Sequence, residues 1–191
     1  MFTLQIGQKA PSFQLKGTDG NMHSFEDFTA PFLVIFFTCN HCPYVKNSNH
    51  ITKQTAEKFK EKGVEFVAIN SNSTTTYPED SYSKMVDLMK TEMFPWVYLH
   101  DESQQIAIAY GALRTPHFYV FNKDRHLVYT GRAIDTPRDP SKMTVNNLEN
   151  ALNELVNNKP VTVPITNPIG CNVKWEGKDA HWMPPEACDL K

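Results

Sequence analysis

The sequence has no surplus of charge and no long apolar run, and both absences narrow what the protein can be. Lysine and arginine number 19 against 21 acidic residues, and neither sign is concentrated in one stretch. We therefore expect no nucleic-acid partner and no attraction to an anionic membrane surface. The longest apolar stretch, Phe32 to Phe37, is far short of the roughly 20 residues that span a bilayer. The N-terminus shows no basic segment followed by an apolar one, so we expect no secretory signal and a cytoplasmic location.

Cysteine is also scarce. Four cysteines in 191 residues are too few for a disulfide scaffold, and a reducing cytoplasm would not maintain one. Two of them, Cys39 and Cys42, are nevertheless separated by only two residues, a spacing that favours redox or metal chemistry over structural crosslinking. Carboxylate pairs and glycine-rich phosphate loops are missing, so the sequence predicts no nucleotide site and no cofactor.

The order of apolar and amphipathic segments predicts an α/β fold with a mixed central β-sheet flanked by helices. The continuous apolar run that ends at Phe37 is typical of a central strand covered on both faces. Apolar residues spaced by three or four then predict a helix from Pro43 to Lys62, and Val64 to Ile69 predicts the next strand. Strand, helix and strand in this order indicate a right-handed parallel crossover.

Other patterns complete this prediction. A glycine-containing turn over 17–21 indicates an N-terminal β-hairpin, and the polar stretch 70–76 is interpreted as a surface loop. Further elements are predicted as a helix capped by Asp80 or Ser81, a strand over 96–99, a short helix capped by Asp101 or Ser103, a second hairpin over 117–130, and a final amphipathic helix carrying Val145, Leu148, Leu152 and Leu155.

The composition changes after Lys159, where five prolines exclude long regular structure. Ile169, Val173, Trp175 and Trp182 nevertheless predict a tail that packs on the rest of the protein. We therefore divide the chain into a domain over 1–158 and a proline-rich C-terminal extension over 159–191.

The motif with clear chemistry is Cys39-Asn40-His41-Cys42-Pro43, which places two thiols where a strand runs into a helix. Unpaired N–H groups and the positive dipole end at the helix N-terminus favour a thiolate, which we expect on Cys39. We predict that Cys39 attacks a substrate disulfide and that Cys42 resolves the mixed disulfide. If protonated, His41 would stabilise the Cys39 thiolate.

Together with the Thr115-Pro116 step that opens a later strand, this motif resembles the thioredoxin-like superfamily, in its redoxin or AhpC/TSA branch. That branch includes peroxiredoxins and ResA/TlpA-type thiol-disulfide oxidoreductases, and the resemblance covers roughly residues 6–156. It implies a thioredoxin-like fold, a cis bond before Pro116, and backbone hydrogen bonds from Thr115 to a bound substrate. The implied partners are a protein disulfide and a reductant.

The sequence also departs from the family patterns. Thioredoxins have a tryptophan before the first cysteine, where this chain has Thr38, and the strand leading to the motif lacks their buried acidic residue. A proton acceptor would therefore have to come from elsewhere. The peroxiredoxin pattern asks for a hydroxyl and a proline at positions occupied here by Phe36 and Phe32, although Arg114 or Arg132 would still be available to support a thiolate.

Several alternatives stay open at this point. Cys171 is a candidate third redox thiol, and Cys188 is interpreted as an ordinary thiol near the chain end. The first alternative function is a thiol-dependent peroxidase, a divergent peroxiredoxin with antioxidant activity. The second is a metal carrier or sensor that uses the thiolates of Cys39 and Cys42 with His41, although no resident metal is predicted. The electron donor, the direction of exchange and the oligomeric state stay undetermined.

Overall fold

The computed structural model describes the backbone of residues 3–190 and the side chains of residues 3–187. The side chain of Cys188 therefore lies outside the described part. The strands are β1 (Gln14–Gly17), β2 (Met22–Ser24), β3 (Phe32–Phe37), β4 (Val64–Asn70), β5 (Val97–His100), β6 (Arg114–Thr115), β7 (His117–Phe121), β8 (Leu127–Gly131) and β9 (Cys171–Asn172). The α-helices are α1 (Pro43–Lys60), α2 (Tyr82–Glu92), α3 (Gln105–Tyr110) and α4 (Asn147–Val156).

Seven strands form one mixed sheet in the order β2-β1-β5-β4-β3-β7-β8, and β6 pairs with β9 in a separate two-stranded sheet. Strands β3, β4 and β5 are parallel neighbours, while β7 lies antiparallel to β3. The mixed α/β sheet and the N-terminal hairpin confirm the predicted fold class. Among the helices of residues 3–190, none has the length and apolar content that a membrane crossing requires.

Alternate residues of the central strand β3 point to opposite faces of the sheet and fill two apolar clusters. Val34 and Phe36 pack with helices α1 and α4. Ile35 and Phe37 pack on the other face with α3 and with Trp175 of the C-terminal extension. The extension therefore closes part of the core, as its apolar residues predicted, while the division at residue 158 stays a prediction.

Three local expectations differ from the structure. The stretch predicted as a surface loop over 70–76 is buried at Ser71, Asn72 and Ser73, because the backbone of the extension hydrogen-bonds to it. The N-cap position of α3 belongs to Gln104, in the left-handed region, although the side chains of the predicted caps Asp101 and Ser103 accept hydrogen bonds from the N–H groups of Ala107 and Gln105. Helix α4 begins at Asn147, so Val145 is outside it.

Candidate functional site

The two thiols of the motif lie at the junction between β3 and α1. Cys42 is the N-cap of α1, and Pro43 occupies the first helical position, where its missing N–H costs no hydrogen bond. Cys39 follows the end of β3 after Thr38, and both cysteines are almost fully buried. The helix N-terminus therefore acts on Cys42 directly, whereas the sequence predicted its main effect at Cys39.

Thr115, at the end of β6, contacts both thiols. The thiol of Cys39 donates a hydrogen bond to Thr115 Oγ1 at 3.4 Å, and protonated Cys42 donates to the Thr115 carbonyl oxygen at 3.2 Å. The Thr115-Pro116 peptide bond is cis, as the family resemblance implied. The outer edge of β6 is paired with β9, where Cys171 lies opposite Thr115. That Thr115 and Pro116 hold a substrate stays a prediction, since the chain itself occupies this edge.

A buried carboxylate that the sequence analysis missed lies beside the motif. Asp80 belongs to a single 3₁₀ turn, Pro78–Asp80, and is fully buried. Its Oδ1 accepts a hydrogen bond from the backbone N–H of Asn40 at 2.6 Å. Its Oδ2 is 2.6 Å from His41 Nδ1 and accepts from the side-chain amide of Asn72 at 2.8 Å. Asp80 therefore fixes the two residues between the cysteines.

His41 is held by Asp80 on one side and by an aromatic ring on the other. Its ring stacks on Tyr77 with centroids 4.3 Å apart. Donor atoms of Cys39, His41 and Asp80 lie within 4.8 Å of one another, and zinc accepts such sulfur, nitrogen and oxygen ligands. Cys42, which the metal alternative includes, does not belong to this group.

The surroundings separate the two motif thiols in acidity. Interactions with the thiols of Cys171 and Cys39, together with the backbone N–H of Val45, lower the pKa of Cys42 despite its burial. Burial raises the pKa of Cys39, and the neighbouring Cys42 and Asp80 raise it further. Burial and nearby negative charge thus work against a thiolate at Cys39, while the surroundings of Cys42 favour one there; that Cys39 is the nucleophile stays a prediction.

An open groove of about 460 Å³ reaches Cys39 and is lined by residues of α1, including Lys46, His50 and Lys53. Phe94 and Glu92 form part of the opposite wall. Cys42 does not line this groove, so Cys39 is the motif thiol that an incoming molecule meets there.

The other predicted residues are placed as follows. Cys171 packs against the motif cysteines, so the structure brings it into the site. Arg114 precedes Thr115 in β6, whereas the guanidinium of Arg132 donates through Nε to Asn147 of α4 at 2.9 Å. Asp80 and Ser81 were the two predicted caps of α2; Ser81 occupies the N-cap position, whereas the side chain of Asp80 contacts the motif.

The sheet, the thiol pair at a strand-helix junction and the cis-proline loop define a thioredoxin-like protein with the site of a thiol oxidoreductase. The family model described as Redoxin matches residues 5–152, which is most of the chain. The chain belongs to the Redoxin family, as the resemblance indicated.

Curated relatives include both kinds of redox protein in this family. The chain is 25% identical to "Thiol-disulfide oxidoreductase ResA" of Bacillus thuringiensis over 125 residues, which are 65% of this chain and 68% of the relative. It is 29% identical to "Peroxiredoxin Q, chloroplastic" of Populus jackii over 61% of this chain and 55% of that protein. A redox function of the thiol-disulfide oxidoreductase or peroxiredoxin type follows.

Solved structures extend the similarity to the C-terminal extension. A protein from Geobacillus kaustophilus, described as an uncharacterized conserved protein, is 40% identical with a TM-score of 0.86, covering 94% of this chain and 95% of that one. A thioredoxin domain from Bacteroides vulgatus superposes with a TM-score of 0.56 at 17% identity, over 67% of this chain and 89% of that one, which shows the shared fold alone.

Proposed function

We propose that this protein is a thiol-disulfide oxidoreductase that exchanges electrons with protein disulfides through Cys39 and Cys42. The observation that carries the proposal is the contact of one residue, Thr115, with both thiols, because it places Cys39 and Cys42 together beneath the cis-proline loop. In the proposal, two thiols held next to each other in this way form a reversible disulfide.

In the proposed reaction Cys39 is the attacking thiol, because it is the one that lines the groove. Cys39 loses its proton, and its sulfur attacks one sulfur of the substrate disulfide. A mixed disulfide forms, and the other substrate sulfur leaves with the electron pair. Cys42 then attacks the Cys39 sulfur, so that the Cys39–Cys42 disulfide forms and the second substrate sulfur is released. The substrate gains two electrons, and the protein loses two.

The lowered pKa of Cys42 supports the resolving step, because it favours the thiolate form in which Cys42 attacks. The proton that Cys39 loses passes in this proposal to the carboxylate of Asp80, whose charge lies near Cys39 and which takes the role of the acidic residue missing from β3. We propose that His41, held at 2.6 Å from Asp80, relays protons between the groove and this carboxylate.

The groove suggests what the partner presents. Lys46, Lys53 and His50 lie on the α1 side, and Phe94 contributes an apolar surface. We propose that the partner is a protein segment with an apolar and an acidic side chain next to its disulfide, and that a cytoplasmic dithiol regenerates the enzyme. No cofactor is part of the proposal.

The test is the reduction of insulin disulfides driven by dithiothreitol, with Cys39→Ser, Cys42→Ser and Cys188→Ser compared with the wild type. We expect catalysis to be lost in the first two variants and kept in the third, whose cysteine has no part in the proposed reaction. Circular dichroism confirms that each variant is folded. Equal catalysis by Cys39→Ser and the wild type would contradict the proposal.

Peroxidase activity is the second candidate, and the observation that favours it is the 29% identity to a relative named as a peroxiredoxin. Hydrogen peroxide consumption with the same reductant, measured beside the insulin assay, separates the two. Peroxide turnover that needs Cys39, without insulin reduction, would replace the exchanger with a peroxidase.

A further inference from the structure

The two-residue strand β9 carries Cys171 to the thiol pair. β9 pairs antiparallel with β6, with Cys171 opposite Thr115 and Asn172 opposite Arg114. Side chains directly opposite each other in an antiparallel pair project to the same face. Since the side chain of Thr115 contacts Cys39, that of Cys171 also lies on the face where the thiols are.

A glycine makes this close approach feasible. A Cβ atom at Gly170 would lie 2.1 Å from the carbonyl oxygen of Thr115 and 2.6 Å from its carbonyl carbon. Backbone atoms cannot move away as a flexible side chain can, so only glycine fits at position 170. The Gly170-Cys171 step therefore holds the extension in direct contact with the loop that carries Thr115.

The extension is also anchored just beyond Cys171. The N–H of Val173 donates to the Leu113 carbonyl at 3.1 Å, and the N–H of Lys174 donates to Asn72 Oδ1 at 2.8 Å. The Lys174 carbonyl accepts from Gln104 Nε2 at 2.8 Å. Trp175, only 8% exposed, packs into the core. These contacts hold Cys171 in place rather than leaving it on a free tail.

Cys42 lies close to two other thiols. Cys171 packs against Cys39 and Cys42, and its thiol and backbone N–H, like the thiol of Cys39, lower the pKa of Cys42. The three cysteines pack in one small cluster with Val45 and Tyr44. The sulfur of Cys42 is therefore within reach of two different thiols of the same chain.

We propose that Cys171 is a redox thiol of this site, which replaces Cys39 as the disulfide partner of Cys42. The proposal rests on the proposed function for the supply of the Cys39–Cys42 disulfide. The Cys171 thiolate attacks the Cys42 sulfur of that disulfide, the Cys42–Cys171 bond forms, and the Cys39–Cys42 bond breaks. Cys39 leaves with the electron pair and takes up the proton that Cys171 released. No electrons are gained or lost overall, so no further oxidant is needed.

The exchange has a consequence for the site. A Cys42–Cys171 disulfide fixes the extension covalently to the N-terminus of α1 and returns Cys39 as a free thiol beside the groove. The oxidised protein then still presents an attacking thiol, and the extension cannot leave the β6 edge.

The test is disulfide mapping in a Cys188→Ser background, which removes the fourth thiol. The variant Cys39→Ser is oxidised with diamide at low protein concentration, alkylated, digested and analysed by mass spectrometry. We expect a monomer with one Cys42–Cys171 crosslink that dithiothreitol reverses. The matched control Cys42→Ser keeps Cys39 and Cys171 but lacks the shared thiol, and we expect at least tenfold less internal crosslink. No crosslink in Cys39→Ser, or equal yields in the two variants, would overturn the proposal.

A second variant tests whether the crosslink depends on the native contact between Gly170 and Thr115. With all three site cysteines present, Gly170→Ala adds the Cβ that collides with Thr115, and we expect the Cys42–Cys171 fraction to fall at least tenfold while the Cys39–Cys42 disulfide still forms. An unchanged Cys42–Cys171 fraction would contradict the geometry. Mapping needs no turnover, so an absence of insulin reduction with a normal Cys42–Cys171 crosslink would refute the proposed function alone.

Discussion

Replacing Asp80 by asparagine tests whether the buried carboxylate controls both the stability and the acidity of the site. Asp80→Asn keeps one oxygen that still accepts the Asn40 N–H, but it removes the second oxygen, on which His41 and Asn72 converge. Two charge-assisted hydrogen bonds contribute about 1.5–3 kcal/mol each. Relief of a buried charge offsets part of this loss. We therefore expect a loss of about 3 kcal/mol, which for a chain of this size lowers Tm by about 6–12 °C.

The same substitution also changes the pKa of Cys39. The negative charge of Asp80 raises the pKa of Cys39, so Asp80→Asn lowers it. The assay is the pH dependence of iodoacetamide alkylation of Cys39 as the sole cysteine, combined with thermal unfolding. The inflection should move to lower pH as the protein becomes less stable. Glu79→Gln, an exposed acidic neighbour, is the matched control and should change stability by less than about 0.5 kcal/mol. An inflection that stays in place or moves to higher pH in Asp80→Asn would refute the electrostatic argument.

Two further results are expected. The lowered pKa of Cys42 favours the reduced form of the pair, so a glutathione titration should give a potential above the roughly −270 mV of thioredoxin. Cys171→Ser should shift this potential downward, because Cys171 contributes to the lowered pKa. A wild-type value at or below that of thioredoxin would show that this stabilisation is unimportant. Burial lowers the pKa of His117 to about 3, so between roughly pH 6.5 and pH 3 this histidine is protonated only in the unfolded state. The free energy of unfolding should therefore fall by about 1.4 kcal/mol for each unit by which the pH is lowered in this range. Urea unfolding at several pH values should show a shallower acid dependence for His117→Gln, and an equal slope in both proteins would exclude His117 as the cause.

Local patterns predicted most of the regular structure. The apolar run of β3 has neighbours on both sides in the sheet, and this burial is what its lack of polar alternation indicated. Proline at the start of α1 and the thiols before it depend only on adjacent residues, so the strand-motif-helix order was recognisable. The start of α4 was placed too early because Val145 fits the helical spacing, although Asn146 caps the helix with its side chain on the Glu149 N–H.

The position of Asp80 could not be predicted because its contacts join distant parts of the chain. It hydrogen-bonds to Asn40 and His41, which are about forty residues earlier, and an acidic residue before a helix is usually a cap. The burial of Asn72 depends in the same way on Lys174 of the extension. Polar residues in a short stretch predict a loop, and only the segment that covers them decides whether that loop is exposed.

Cys171 was a candidate redox thiol in the sequence, but its neighbours could not be predicted. Strands β6 and β9 have two residues each, too few for any periodicity, and their pairing needs a glycine whose role is visible only against the Thr115 carbonyl. Once that pairing is known, Cys171 is a third thiol packed against the motif cysteines, and it does not line the groove. In the proposed reactions Cys39 meets the partner and Cys171 belongs to the extension, so the Cys42 sulfur connects the incoming disulfide to the C-terminal segment. A tail of irregular structure then belongs to the redox site as well as covering part of the core.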